Sequence, residues 1–144
     1  AIERIFDAFE KLPQPVVIPI HPRTRALAQQ AIAERGYRNI KLISPVGYLE
    51  MLLLTSNARQ VLTDSGGLQK EAWFMEVPCI TLRKETEWVE TLEGSWNVLA
   101  SLDTEDIYRK ATETVPDPAA RGKMPFGDGH ASEKIASILS QFGV

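Results

Sequence analysis

The feature that most limits the fold is a regular alternation of short apolar runs with helical stretches. Residues 16–20 are continuously apolar and β-branched, as a parallel strand covered on both faces must be. Residues 26–35 then have helical composition and stop at Gly36, which suits the position after a helix. The same pattern predicts further strands at 40–43, 59–63, 79–82 and 97–99, and further helices at 2–12, 48–56, 66–76, 87–92 and 105–114.

This alternation predicts the fold class. Strands joined through single helices form right-handed parallel crossovers, so the chain is expected to be an α/β domain of three layers, with a parallel sheet between helices. Residues 116–129 contain three prolines and three glycines and predict an irregular connection. Residues 131–142 then form a terminal helix. At 144 residues, the chain is expected to be one domain.

Composition excludes several classes of partner. The net charge is −3 and the basic residues are dispersed, so no nucleic-acid partner is expected. Cys79 is the single cysteine and lies in an apolar run, which predicts a buried thiol and excludes an internal disulfide. The sequence has no apolar run long enough to span a membrane and no signal peptide. We therefore expect a cytoplasmic protein with no membrane partner and no metal site.

The segment VLTDSGGLQKE carries the clearest functional signal. It runs from a predicted strand into a predicted helix, at the sheet edge where parallel folds bind ligands. Gly66 and Gly67 would let a ligand approach backbone N–H groups at a helix N-terminus, a combination suited to phosphate, and Ser65 adds a hydroxyl. Glu71, one turn deeper, is placed to accept the hydroxyls of a ribose.

This nucleotide-clamp hypothesis has a plain alternative. Gly-Gly after a strand also occurs in simple turns, with Ser65 as the helix N-cap and Glu71 as a solvated residue. The segment matches neither the three-glycine dinucleotide fingerprint nor the P-loop with its lysine, so bound NAD and a P-loop NTPase are both disfavoured. No resident cofactor is expected.

A family resemblance extends over nearly the whole chain. The segments TDSGGLQKEA, VPCITLR, TEW, VET and WNVLA, with PVVIPIHPRT, SPVGYLEML and FGDGHASEKIASIL, are similar to the C-terminal half of non-hydrolysing UDP-N-acetylglucosamine 2-epimerases. The resemblance implies one half of a GT-B architecture, in which two Rossmann-like domains face each other across a cleft that holds the UDP-sugar. It also implies a homodimeric enzyme of cell-surface polysaccharide biosynthesis.

The resemblance implies an activity and a set of binding residues. The family interconverts UDP-GlcNAc and UDP-ManNAc by eliminating UDP and adding it back. Ser65, Gly66 and Gly67 would bind the diphosphate and Glu71 the ribose, with the loop around Val46 beside the uracil.

Four further residues are implied near the substrate. A histidine at the position of His21 lies near the substrate in the family, although His21 could equally cap its strand. Arg83, Thr86 and Glu87 would border the cleft, or else form a solvated loop that orders the next helix.

The same resemblance implies that this chain lacks catalytic residues. The family's acid/base carboxylates belong to an N-terminal Rossmann-like domain that would be the missing partner, so the chain is expected to bind UDP or a UDP-sugar without turning it over. Two other hypotheses are the donor-binding half of a GT-B glycosyltransferase and a hydrolysing epimerase. A response receiver is disfavoured because the run PVVIPIHPR contains no acidic pair.

Overall fold

The computed structural model describes residues 2–122 and 125–142 and shows the predicted alternation of strands and helices. Ala1 and positions 123, 124, 143 and 144 lie outside the described residues, so part of the connection predicted at 116–129 does too. The strands are β1 (Val16–Pro19), β2 (Ile40–Ile43), β3 (Val61–Thr63), β4 (Cys79–Thr81) and β5 (Asn97–Leu99). The helices are α1 (Ile2–Lys11), α2 (Pro22–Arg35), α3 (Tyr48–Ser56), α4 (Gly66–Phe74), α5 (Thr104–Glu113) and α6 (Ala131–Gln141), with 3₁₀ helices at Val89–Ser95 and Pro118–Gly122.

All strand pairs are parallel, which confirms the α/β class, but hydrogen bonding divides the strands into two sets. β1 pairs with β2, and β3, β4 and β5 form a second sheet in that order. No pairing joins β1 to β3 within the described part of the chain. A single continuous sheet was expected. The structure instead has two sheets, one of β1 and β2 and one of β3, β4 and β5.

The main core lies where α1, α2 and α5 cover one side of the strands. Phe6 and Phe9 of α1 are buried with Ala28 of α2 and Ile107 of α5. Ala28 is fully buried, so its small side chain allows a close approach of α2. Each buried phenylalanine contributes roughly 1.5–3 kcal/mol through apolar burial, which anchors α1 to the sheet.

A second core lies beneath α4. Ala72 packs with Val61, Val77 and Cys79. Cys79 is 1 % exposed, which confirms the buried thiol, and burial raises its pKa to about 12. Since α4 rests on strands β3 and β4 through this cluster, its N-terminus is held at the end of β3.

Three element boundaries near the site differ from the sequence prediction. α2 begins at Pro22, four residues before the predicted start, because proline suits the first helical position and His21 serves as the N-cap. α4 ends at Phe74, and Glu76 beyond it has a left-handed φ of 60°. The predicted strand 59–63 begins only at Val61.

The last part of the described chain combines an anchored turn with an unburied helix. The guanidinium of Arg121 lies 4.5 Å from the ring centre of Trp73 and 4.7 Å from that of Trp96. This stacking fixes the 3₁₀ helix Pro118–Gly122 against the domain. α6 has no buried residue, and its apolar side chains Ile135, Ile138, Leu139 and the following Phe142 are 49–76 % exposed.

Candidate functional site

The N-terminus of α4 offers unpaired backbone donors at the end of β3. Ser65 is the N-cap, and its N–H donates to Oγ1 of Thr63 across 3.0 Å. The Ser65 hydroxyl makes no capping hydrogen bond. The N–H groups of Gly66 and Gly67 have no intrahelical acceptor, and no described residue supplies one. This helix end is therefore open to an anion.

The two glycines serve different purposes, and neither has a left-handed φ. A β-carbon on Gly66 would lie 3.3 Å from Nε1 of Trp88 and 3.6 Å from Oε2 of Glu87, so glycine is needed for close packing against that loop. A β-carbon on Gly67 would meet nothing nearer than its neighbour Ser65 Oγ, at 3.9 Å. Gly67 thus leaves an exposed surface above the open N–H groups.

Glu71 carries a carboxylate without a protein partner among the described residues. It lies one turn beyond Gly67 and is half-buried. The adjacent Lys70 does not pair with it, since the ammonium lies 4.0 Å from the ring centre of Trp88. Glu71 therefore keeps its acceptor capacity for a ligand that reaches along the helix.

Two other predicted residues follow β1 and β2. His21 is exposed, and its Nδ1 accepts a hydrogen bond from the N–H of Arg23 across 3.2 Å. Its capping role thus belongs to α2 rather than to the strand, and Nε2 has no partner among the described residues. Val46 is half-buried in the loop before α3. Residues at the carboxyl ends of β1 and β3, Ile20 and Thr63, line one cavity.

Arg83 and Glu87 form a closed ion pair beside the α4 N-terminus. Two hydrogen bonds of 2.7 and 3.1 Å join the guanidinium to the carboxylate. The hydrogen bond from Arg83 is the main cause that lowers the pKa of Glu87. The carboxylate occupies space next to Gly66, so the helix end faces a negative charge.

Thr86 has a structural role in the loop that follows β4. Its hydroxyl donates to Oε1 of Gln69 across 2.6 Å and accepts from the N–H of Trp88 across 3.0 Å. Asn97 also donates to Gln69 Oε1, across 3.3 Å. The hydroxyl of Thr86 thus holds the loop onto α4, which is the loop-ordering alternative given above, and its place at the cleft edge stays a prediction.

Gln69 was not predicted from the sequence. It is fully buried, and its Nε2 has no hydrogen-bond partner among the described residues. No local pattern distinguishes a buried glutamine in a helix from an exposed one, because both fit the same polar position. Its burial follows from the contacts that Thr86 and Asn97 bring from later elements.

These residues together form a candidate binding surface: an open helix end, a hydroxyl and a carboxylate one turn away. No group of three or more His, Cys, Asp or Glu side chains in residues 2–122 and 125–142 could hold a metal ion. Within the same residues, no helix has the length and apolarity needed to cross a membrane.

Comparison with known proteins identifies the family. The sequence model described as UDP-N-acetylglucosamine 2-epimerase matches residues 1–140. The chain belongs to this family. A UDP-N-acetylglucosamine 2-epimerase homolog of Methanococcus maripaludis is 45 % identical over 96 % of the chain and 39 % of its own length. The crystal structure of Methanocaldococcus jannaschii UDP-GlcNAc 2-epimerase in complex with UDP-GlcNAc and UDP matches with a TM-score of 0.71 and 36 % identity, over 97 % of this chain and 39 % of that one.

A third relative of this epimerase family is named for a different sugar. UDP-2,3-diacetamido-2,3-dideoxy-D-glucuronate 2-epimerase of Pseudomonas aeruginosa is 41 % identical over 88 % of the chain and 35 % of its own length. The chain therefore spans about two fifths of the length of these three relatives, since the covered shares of their own lengths are 39 %, 39 % and 35 %. The epimerase hypothesis is favoured over the glycosyltransferase one, and the GT-B half-domain fold is confirmed.

Proposed function

We propose that this chain is the UDP-binding C-terminal half of a UDP-GlcNAc 2-epimerase. The longer enzyme would interconvert UDP-GlcNAc and UDP-ManNAc by eliminating UDP and adding it back. The observation that carries the proposal is the open N-terminus of α4, where the N–H groups of Gly66 and Gly67 and the hydroxyl of Ser65 lie one turn from the unpaired carboxylate of Glu71.

The diphosphate of UDP fits the chemistry of this helix end. Backbone N–H groups and the helix dipole favour an anion there, and the exposed face of Gly67 lets phosphate oxygens approach without a side chain in the way. In the elimination step the leaving group is UDP itself. Donors fixed at its phosphates therefore stabilise the charge that develops as the bond to the sugar breaks.

Glu71 is proposed to accept hydrogen bonds from the ribose hydroxyls. A carboxylate is an acceptor with two oxygens, which matches the two neighbouring hydroxyl donors of a ribose. The loop around Val46, which follows the neighbouring sheet, is proposed to border the uracil. His21 is proposed to face the substrate through Nε2, since Nδ1 is engaged by Arg23.

The pair formed by Arg83 and Glu87 is proposed to border the sugar side of the cleft. Because the two charges neutralise each other, an incoming diphosphate meets an ion pair rather than a free cation. Thr86 supports this border by holding the loop, through Gln69, at a fixed distance from α4.

Several properties of the longer protein are proposals that rest on family membership. The acid/base carboxylates are proposed to come from a second Rossmann-like domain, so that the 144-residue chain alone has no epimerase activity. The full enzyme is proposed to be a cytoplasmic homodimer that serves cell-surface polysaccharide biosynthesis. An epimerase of the hydrolysing type releases free ManNAc. Detection of free ManNAc as the product of the longer protein would therefore assign it to that type.

Titration of the 144-residue chain with UDP, followed by amide NMR, tests the binding site. UDP is the appropriate probe because relatives named for different sugars are all named for UDP-linked ones. We expect shifts clustered at residues 63–71 and a dissociation constant on the order of millimolar, equivalent to roughly 4 kcal/mol, because half of the enclosing surface is absent. Glu71→Gln should weaken binding by roughly tenfold or more. Shifts elsewhere, or unchanged binding by Glu71→Gln, would contradict the site.

A further inference from the structure

Trp88 lies beside the open end of α4, with its indole nitrogen at the first helical residue. A β-carbon on Gly66 would lie 3.3 Å from Nε1 of Trp88, so this nitrogen is close to the backbone where the helix begins. Trp88 is half-buried, and its Nε1–H has no acceptor among the described residues. In contrast, Nε1 of Trp96 donates to the carbonyl of Asp117 across 3.0 Å, as buried indole N–H groups usually do. The Trp88 indole therefore leaves one donor available at the helix end.

Lys70 contacts the face of this indole. Its ammonium lies 4.0 Å from the ring centre of Trp88 and 5.2 Å from that of Phe126. Lys70 follows Gly66 by one helical turn, and it forms no ion pair with any residue that the structure describes. No carboxylate therefore neutralises the ammonium, and its charge lies over the aromatic rings.

Phe126 gives the indole of Trp88 a second contact. The two ring centres are 6.0 Å apart and the planes meet at 78°, an edge-to-face arrangement that aromatic pairs prefer. Phe126 makes a similar contact with Trp73, at 5.3 Å and 85°. Because Trp73 is a buried residue of α4, these contacts fix the Trp88 ring relative to the helix.

We propose that the indole N–H of Trp88 donates to the diphosphate of UDP, and that Lys70 is a positioning residue that acts through this indole. A cation over an aromatic face withdraws electron density from the ring, so Lys70 makes the N–H a stronger donor as well as fixing the ring. The inference rests on the proposed function, since it adds one donor and one cation to the phosphate part of the same UDP site.

The charge of Lys70 matters because the other charges beside this helix end cancel. Oε2 of Glu87 would lie 3.6 Å from a β-carbon on Gly66, and Arg83 neutralises that carboxylate. The contacts through Trp88 place the ammonium within about one Debye length of Gly66, roughly 10 Å at 0.1 M salt. Lys70 is therefore the cation without an ion-pair partner that would attract a diphosphate to this part of the described chain.

The indole N–H signals of the 144-residue chain, followed by NMR during titration with UDP, are the first test. The chain has three tryptophans, and Trp88→Phe identifies the signal of Trp88. We expect this signal to move together with the amides of residues 65–67, whereas the signal of Trp96 stays in place because its N–H is already bonded. Uridine carries no phosphate and should leave the Trp88 signal unmoved.

The outcomes separate this inference from the proposed function. Shifts at residues 63–71 with a stationary Trp88 signal, or equal movement of that signal with uridine and with UDP, would overturn the inference alone. If UDP shifts no residue of 63–71, the proposed site and the inference are both overturned.

Variants of Lys70 are the second test. Lys70→Met keeps the aliphatic stem and removes the charge, so UDP should bind about three- to fivefold more weakly. Lys70→Arg keeps a cation that stacks on aromatic faces and should restore the affinity to within about twofold. Lys84→Met removes one positive charge from the exposed loop after β4 and is the matched control, expected within about twofold of the parent chain. Equal UDP binding by Lys70→Met and Lys84→Met would overturn the role of Lys70.

Trp88→Phe tests the donor itself. Phenylalanine keeps an aromatic face beneath the ammonium but has no N–H, so UDP should bind about three- to tenfold more weakly. Binding equal to that of the parent chain would overturn the role of Trp88. The Trp88 signal of the parent chain tests the same contact without any substitution, so a variant that folds poorly does not prevent the test.

Discussion

The hydroxyl of Thr86 and the side-chain carbonyl of Gln69 form a 2.6 Å hydrogen bond between the loop after β4 and the first turns of α4. The same Gln69 oxygen accepts from Asn97 of β5. The helix end proposed to bind UDP is thus positioned by two later elements of the chain as well as by β3.

Thr86→Val should destabilise the fold by about 1–3 kcal/mol, since it keeps the shape but leaves the N–H of Trp88 without its acceptor and removes a donor from Gln69. Thr86→Ser keeps the hydroxyl and is the matched control, with a smaller loss. Urea unfolding followed by tryptophan fluorescence measures both. Equal stability of Thr86→Val and the parent chain would show that this hydrogen bond does not hold the loop.

Gly67→Ala should separate stability from binding. Alanine in place of a helical glycine stabilises a helix by roughly 0.5–1 kcal/mol, and a β-carbon at this position meets no other residue closely. The same methyl group stands above the open N–H groups, so UDP should bind several-fold more weakly. Thermal unfolding and UDP titration are measured on one preparation, and tighter or equal UDP binding would argue against a phosphate at this helix end.

Gly66→Ala serves as the comparison. Its new β-carbon would lie 3.3 Å from Nε1 of Trp88, which requires the loop to shift. We expect no gain in stability from this variant, in contrast to Gly67→Ala.

Glu87→Gln should bind UDP roughly two- to five-fold more tightly than the parent chain. The substitution removes a negative charge next to the α4 N-terminus and frees Arg83 for the phosphates. The gain should shrink as salt is raised, because charge interactions at this exposed position are screened. Glu85→Gln, an exposed carboxylate in the same loop, is the control for net charge. Weaker binding by Glu87→Gln would mean that this carboxylate contacts the nucleotide directly.

Asp106 should make the fold sensitive to acid. Burial by itself would raise the pKa of this carboxyl, but hydrogen bonds from Lys110 and Ser101 outweigh it and hold the pKa below its ordinary value. A depressed folded-state pKa stabilises the fold above the unfolded pKa of about 3.9 and loses that effect as the pH falls further.

Asp106→Asn should therefore cost about 1–2 kcal/mol at pH 7 and flatten the loss of stability below pH 4. Glu113→Gln on the same helix is exposed and is the matched control. Urea unfolding between pH 2 and 7 gives both curves, and parallel curves for Asp106→Asn and the parent would contradict this role.

The apolar side of α6 should promote self-association of the 144-residue chain. Ile138 and Leu139 are 54 % and 49 % exposed. Exposed apolar stripes of this kind tend to associate with another apolar surface. Light scattering should show a mass that rises with concentration and returns to that of a monomer in Ile138→Glu/Leu139→Glu. Ser132→Glu/Ser137→Glu adds the same charge elsewhere on the helix and should leave association unchanged. A strict monomer at every concentration would contradict the prediction.

The order of strands and helices could be predicted because each element carries its own apolar pattern. The start of α2 was missed because the polar residues that follow β1 look like the end of the strand. In the structure, His21 caps α2 and Pro22 is its first residue. The role of Thr86 and the burial of Gln69 depend on Asn97, 28 residues beyond Gln69, and no local pattern contains that contact.

The division of the sheet could not be predicted for a different reason. The runs that form β1 and β3 are as apolar as strands of one continuous sheet, and local composition does not record which strands pair with each other. Arg121 shows the same limit, because a segment rich in proline and glycine gave no sign that its arginine stacks on Trp73.

Because Cys79 is buried, modification of its thiol can measure how often the sheet around it opens. Its thiol lies in β4 and is 1 % exposed, and the raised pKa keeps it protonated at neutral pH. Since it is the single cysteine, a thiol reagent added in excess can modify the native chain only while β4 is exposed. The rate of modification then reports how often the sheet beneath α4 opens. A ligand that binds at α4 should lower this rate in proportion to the fraction of chains that it occupies.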